Sequence, residues 1–574
     1  MPAPSPGPSS DNVLDAITLQ KAAVTRLKRD ILGVDRHGRR RYIRDFHEEF
    51  SGYESVSSLD DLSVACYKAD LVYIGDYHAL PASQEFAARL IDDIAARTRE
   101  VALCLEMIHA RNQRAVDSFM EGASSEADFL REIRYDLDWG YDWPGFRHLF
   151  EVARAHRIPV FGIDCEPRSG FRFIHKRDAH AAAHIAGIAR RRPEAKIVVV
   201  IGESHLGRRH LPGKVRDLMK REGLEKRSVV VVQNLEEIYW QLASRGLEQD
   251  SVVALGRDRY CVFNTSPLAK YEAYRQTLER WTAESDDTVD LAPTVYGMID
   301  TILKFLGVDK YRARPAGRAG SGPAFLVDLY PEVHAGLDGS EARRLLREHK
   351  LSDEEAGEVL AHIGDRGSCY VPRMNTIFIG QFNMVHAGEE AAHFVNLALK
   401  GEIFDAAPRL MAQHDLFYTG VLEEALGFFG SKLIDPSRNH FFETGFYQYY
   451  RKDRETVERE TGYRFEDFNA IIDFILLHKR FEQTYEQYED VPQEILDGIR
   501  AEPGRANILI HELGYFLGQQ IYDAWRAGLF ARADLRALFR MSFRDSGTAL
   551  QTYLDLVEKV RPVAQGRPAG GTGR

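Results

Sequence analysis

Five consecutive β-branched residues, Ile197 to Ile201, run into Gly202-Glu203-Ser204-His205. A short stretch that is apolar at every position fits a strand buried on both faces, the environment of a parallel sheet. Parallel strands need long crossovers, so this stretch commits its neighbourhood to strands alternating with helices. The same pattern occurs upstream, where Leu71-Val72-Tyr73-Ile74 runs into Gly75-Asp76-Tyr77-His78. Chain leaving the C-terminal end of such a strand enters the crevice where α/β proteins place ligands.

Alternation extends from about Ser58 to Thr265, with strands expected at 71–75, 101–105, 158–163, 197–202, 228–232 and 259–263. Apolar residues at helical spacing over 82–96, and helical stretches around 110–133, 144–156 and 178–191, fill the crossovers. The expected fold is α/β, a mostly parallel sheet with helical crossovers, followed by a mostly α-helical C-terminal domain. Beyond 266 helical periodicity dominates, and the Gly/Pro/Arg-rich stretch Arg312 to Pro323 reads as a linker. The division this implies is 1–57, an N-terminal helix and linker; 58–265, the α/β domain; and 266–323, a helical connector and linker. A helical domain over 324–561 and a disordered tail over 562–574 complete it.

Composition closes off several classes of function. The formal net charge is -11 over 574 residues, which carries no electrostatic footprint for nucleic acid. The five cysteines are scattered without a C-x-x-C pair and read as reduced core residues. No window approaches the roughly 18 apolar residues of a membrane span. The first ten residues lack the basic and apolar regions of a secretory signal, and no lipobox is present. A cytoplasmic location is expected, and a homodimer is compatible with the sequence.

Polar residues stand at the ends of four successive expected strands. These are Asp76, Tyr77 and His78; Glu106; Asp164 and Glu166; and Glu203 with His205. In a parallel sheet those ends share one edge, so groups distant in sequence converge. His78, Glu106 and His205 make a first shell for a divalent ion such as Zn, Mn or Fe, with Glu203 left as base. Without a metal the same groups suit direct acid/base work. The glycines permit an unusual φ or a close backbone approach. Arg177, at the start of the helix before the fourth strand, is a candidate anion-binding group, and His180 and His184 stand at i, i+4 spacing.

The ordered motifs GDYH, VALCLEM, DFLREIRYDLDWGYDW, IPVFGID, RDAHAAAHI and VVVIGESH resemble the ChaN-like domain. That domain is described as haem-binding uptake, within the Tiki, TraB/PrgY and erythromycin-esterase-like superfamily. The resemblance covers about residues 60–265 and includes Trp139, Tyr141 and Trp143. It assigns the two G-x-x-H histidines to His78 and His205 and the strand-end glutamate to Glu106; Asp76 stands where the family often has Glu. It implies two chemistries. One is hydrolysis at the histidines and glutamates, with a small-molecule or peptide substrate. The other is haem or iron binding, for which Tyr77, His78, His205, His210 and the aromatics of 139–146 are the available groups. A third reading makes the crevice vestigial and the chain an interaction protein. The first, a metal-dependent hydrolase using His78, Glu106, Glu203 and His205, is the leading expectation, with Tyr77, Asp76, Asp164 and Arg177 lining the site.

In the helical half, Glu390-x-x-His393 has the spacing used by di-iron bundles, which marks these two residues as a second candidate metal site. Glu423-Glu424 and His511-Glu512 are available to supply further ligands. The aromatics between Asn439 and Tyr450 read as core or interface.

Overall fold

The structure is a computed structural model. It describes residues 10–34, 46–168, 173–247, 251–282, 289–311, 325–404, 412–440, 449, 452–461, 464–488, 491–500 and 503–564. The expected linkers Asp35–Arg44 and Arg312–Pro323, the tail beyond 564 and the aromatics 441–448 lie outside them. Packing divides the chain into two units, one of Val24–Asp287 and one of Met1–Ala23 with Thr288–Arg574.

The first is an α/β unit built on eight strands: β1 (Ser55–Ser57), β2 (Leu71–Asp76), β3 (Val101–His109), β4 (Val160–Asp164), β5 (Lys196–Gly202), β6 (Ser228–Gln233), β7 (Val252–Gly256) and β8 (Arg259–Val262). They lie in the order β1-β7-β8-β6-β2-β5-β3-β4. The six expected strands are β2, β3, β4, β5, β6 and β8, and every pairing among them is parallel. The sequence reading misses β1 and β7, which pair antiparallel at one side of the sheet. Both are short, and β7 returns into β8 through Arg257-Asp258, with Asp258 at φ 57°.

Alternate strand residues feed opposite cores. Val72, Ile74, Leu103, Leu105, Val198 and Val200 pack with helices Pro81–Arg97 and Trp143–Ala155. Leu71, Tyr73, Ala102, Cys104, Val199 and Ile201 pack on the other face with helices Ile174–Arg191 and Leu211–Arg221. The sheet is therefore the middle of three layers, which explains why its strands are apolar on both faces. Past Thr265 the unit continues through helix Pro267–Thr282, whose Leu278 packs with Leu27 and Ile31 of helix Ser10–Val34.

The second unit is mostly helical. Helix Gln413–Ile434 packs against both Met384–Lys400 and Pro503–Arg526. Gly514 makes one of these contacts close, because a Cβ there would lie 2.4 Å from the Cβ of Glu424. A small sheet unforeseen from sequence joins β9 (Glu332–Ala335), β10 (Ser368–Val371) and β11 (Thr376–Ile379) in the order β10-β11-β9. Among the described residues no helix is long and apolar enough to cross a membrane.

Candidate functional site

β2, β5 and β3 are neighbours, so their C-terminal ends bring His78, His205 and Glu106 to one edge. His205 sits in a turn, Glu203–Leu206, that follows β5 directly. Glu106 lies inside its strand rather than after it. β3 runs on to His109, with its register against β4 shifting between Leu105 and His109. Gly202 lets the groups meet. Its φ is -48°, so an unusual backbone conformation is not the reason. A Cβ on it would stand 3.2 Å from His78 Nε2 and 3.3 Å from Glu106 Oε2.

Glu106 is the hub. Its Oε2 accepts from the Gly202 N–H at 2.6 Å, and its Oε1 faces His205 Nε2 at 3.2 Å and the Arg177 guanidinium. On its other side, the His205 imidazole places Nδ1 2.6 Å from Asp178 Oδ1. Asp178 Oδ2 lies 3.0 Å from His210 Nδ1. His78 is fixed through Nδ1, 2.7 Å from Asp76 Oδ2, and Gln84 donates to the other Asp76 oxygen at 2.5 Å. His78 Nε2 lies 3.7 Å from Glu106 Oε2. Asp164 accepts from Arg177 Nε at 2.8 Å and from Arg168 Nε at 2.6 Å, and Arg168 also donates to the Glu106 carbonyl at 2.9 Å.

Burial makes these pairings strong, since unpaired charge in a low-dielectric interior is costly. Burial alone would raise the Glu106 carboxyl, but the charges of His205 and Arg177 outweigh it and hold Glu106 well below the usual carboxylate range. Burial would likewise discharge His205. Glu106 and Asp178 on its two nitrogens overcome that and push it up to about 9. Asp178 is depressed despite its burial, by hydrogen bonds from His205 and His210. At neutral pH the centre is therefore an imidazolium and a guanidinium clasped around ionised carboxylates.

Over this network opens a cavity of about 770 Å³. Its lining includes His78, Glu106, Arg177 and His205, with Trp139, Tyr141, Tyr77 and Trp281 among its aromatic rings. Trp139 and Tyr141 lie against the His78 ring at centroid distances of 4.4 and 5.1 Å. Lys270 stands 4.4 Å over the Tyr77 ring and donates to Glu203 Oε1 at 3.0 Å. Glu203 Oε2 is buried with no hydrogen-bond partner among the described residues.

The structure thus brings together Asp76, Tyr77, His78, Glu106, Asp164, Arg177, Glu203 and His205. Arg177 pairs with Glu106 and Asp164 and also lines the cavity. Glu166 is set apart, exposed and paired with Arg111 at 2.6 Å. Sequence reasoning assigned no site role to Asp178, Arg168 or Lys270. Asp178 follows Arg177 directly, and that adjacency was the available signal. Lys270 lies beyond the last parallel strand, where nothing in the pattern points back to the crevice.

A metal ion needs donor atoms around a common point. Among the described residues, three groups offer ligand atoms all within 4.8 Å of one another: His175, Asp178 and His210; His109, Asp138 and Glu166; and Glu389, Glu424 and His511. His78, Glu106 and His205 are not such a group, although His78 Nε2 and His205 Nε2 each face a Glu106 oxygen, at 3.7 and 3.2 Å.

In the helical unit, Glu390 has protein partners of its own. Glu390 Oε2 accepts from the Tyr370 N–H at 2.9 Å, and its Oε1 lies 3.7 Å from His362 Nε2. The neighbouring Glu389 is the carboxylate that converges with Glu424 and His511.

A mostly parallel α/β sheet carries a His/Glu/Arg network at its carboxyl edge beneath an aromatic cavity, the place where α/β folds put ligands. Residues 64–176 match a family model described as haem-binding uptake, Tiki superfamily, ChaN. The match spans β2, β3, β4 and the aromatic segment, and the C-terminal half has no family match. A solved structure titled cofacial haem binding to ChaN of Campylobacter jejuni aligns at 13% identity. The alignment covers 33% of this chain and 89% of that one, with a TM-score of 0.24. No curated protein matches the chain.

Proposed function

We propose that the α/β unit binds haem in the cavity above β2, β5 and β3, with His78 as the iron ligand. The observation that carries this is the setting of the His78 ring. Asp76 occupies Nδ1 at 2.7 Å, while Nε2 makes no hydrogen bond among the described residues. An imidazole backed by a carboxylate is held in one tautomer and is a better metal donor. Trp139 and Tyr141 supply apolar ring surface beside the His78 ring for a porphyrin to pack on. A volume of about 770 Å³ falls in the range of sites for ligands of this size, roughly 300–1,000 Å³. The family match over 64–176 supports the same reading. Bound haem would supply the iron chemistry; the chain orients the ring, excludes water and fixes the donor nitrogen.

The test is titration of the purified chain with haemin, followed by absorption, beside His78→Ala and Tyr77→Phe. A saturable Soret band that His78→Ala shifts or abolishes is the expected result, and its survival unchanged in that variant would reject His78 as ligand.

A second reading is favoured by the Asp178–His205–Glu106 chain, in which an imidazole held protonated can serve as a general acid. In that case the unit is a hydrolase of small molecules or peptides that works without a divalent ion on His78, Glu106 and His205. Turnover of model esters or amides that survives chelation but is lost in His205→Gln would support it.

A further inference from the structure

The helical unit contains a second buried polar centre, unconnected with the reading above. Glu389, Glu424 and His511 come from three different helices, Met384–Lys400, Gln413–Ile434 and Pro503–Arg526. Their ligand atoms lie within 4.8 Å of one another, with Arg366, Arg438 and Tyr515 against them.

Two features are left unresolved by the protein's own hydrogen bonds. Glu389 is only 3% exposed; its Oε2 accepts from Tyr515 Oη at 2.7 Å and Arg438 at 2.9 Å, but its Oε1 is buried with no partner among the described residues. The second is at His511. Its Nδ1 stands 3.0 Å from Glu424 Oε2 and 2.6 Å from Arg366 Nη1. One nitrogen cannot donate to a carboxylate and accept from a guanidinium at once, so either tautomer leaves one contact unsatisfied. A cation on Nδ1 in place of the guanidinium would meet the lone pair and both carboxylates together.

His393 lies one turn beyond Glu389 on the same helix, and its ring packs with Glu389 Cγ against Gly427. A Cβ on Gly427 would come within 2.6 Å of His393 Nε2, so glycine at that position leaves room for the ring.

We propose that Glu389, Glu424 and His511 bind one first-row divalent cation, and that Arg366 is the resident cation it displaces. Two carboxylates and one imidazole are mixed oxygen and nitrogen ligands that Zn²⁺, Mn²⁺ and Fe²⁺ accept, with a position left for solvent. Arg438 stays on Glu389 Oε2 and orients that carboxylate.

The experiment strips the full chain with a chelator, dialyses it against Zn²⁺ or Mn²⁺ and counts bound metal per chain. Wild type is compared with Glu424→Gln, His511→Ala and Arg366→Gln, with circular dichroism confirming the fold of each. The expected result is about one ion per chain, affinity lowered at least about tenfold in the first two variants, and affinity raised in Arg366→Gln. The ion should be retained by His78→Ala, which separates this centre from the haem proposal. No bound ion in wild type, or full binding by folded Glu424→Gln and His511→Ala, would overturn the site. If those two variants do not fold, Arg366→Gln decides alone: unchanged or weaker binding there would overturn the displacement.

Discussion

His205 Nε2 lies 3.2 Å from Glu106 Oε1 while its Nδ1 lies 2.6 Å from Asp178 Oδ1, so one buried imidazole is held between two carboxylates. This makes the stability of the α/β unit depend on pH in a defined direction. In the unfolded chain a histidine loses its proton near pH ~6.5. In the fold His205 keeps it up to about 9. Its contribution is therefore fully present below about pH 6.5 and is lost as pH rises through 9, a change of roughly 3 kcal/mol. Glu106 and Asp178, both depressed, act at the other end; their contribution holds above the usual carboxylate range and is lost on acidification. Denaturant unfolding of wild type and His205→Gln across pH 5–9.5 measures this. The gap between the two should close on the alkaline side.

Arg177 neutralises Glu106 and Asp164 from a side chain that is 13% exposed. Arg177→Ala leaves both carboxylates buried with too little positive charge and should cost about 3–5 kcal/mol. Arg177→Lys should recover only part of that, because an ammonium cannot make the forked contacts. Urea unfolding of the three proteins at pH 7 gives the comparison.

Gly202→Ala puts a methyl group between His78 and Glu106, at 3.2–3.3 Å from each. Overpacking of this kind costs about 1–3 kcal/mol, and here the displaced ring is the proposed iron ligand. Haemin affinity should fall more than stability does, as measured by parallel absorption titration and thermal unfolding.

Trp139→Ala removes the ring 4.4 Å from His78 and part of the cavity wall. Haemin affinity should weaken by tenfold or more, about 1.4 kcal/mol. Trp139→Phe should keep most of it, since a flat apolar face remains.

The parallel strands were legible because their central residues are buried on both faces and therefore apolar throughout. Tyr73, Val199 and Cys104 feed one core while Ile74, Val200 and Leu105 feed the other. The antiparallel β1 and β7, and the small sheet β9–β11, were not. They are three to five residues long, and β1 (Ser55-Val56-Ser57) and β9 (Glu332-Val333-His334-Ala335) carry no unbroken apolar run. His78, Glu106 and His205 were legible because strand ends on one edge converge by topology alone. What the edge does chemically was not, since that depends on Asp178, Arg168 and Lys270 arriving from helices and loops. The Glu390–His393 spacing pointed to the helix that also carries Glu389, the carboxylate that converges with Glu424 and His511. Adjacent residues point about 100° apart on a helix, so spacing along one helix does not tell which of the two faces a neighbouring helix.

Haemin titration of wild type against His78→Ala and Tyr77→Phe tests the central claim most directly. The account predicts one haem per chain, with a Soret maximum displaced or lost in His78→Ala and retained in Tyr77→Phe. No saturable Soret change in wild type, or one insensitive to His78, would contradict it.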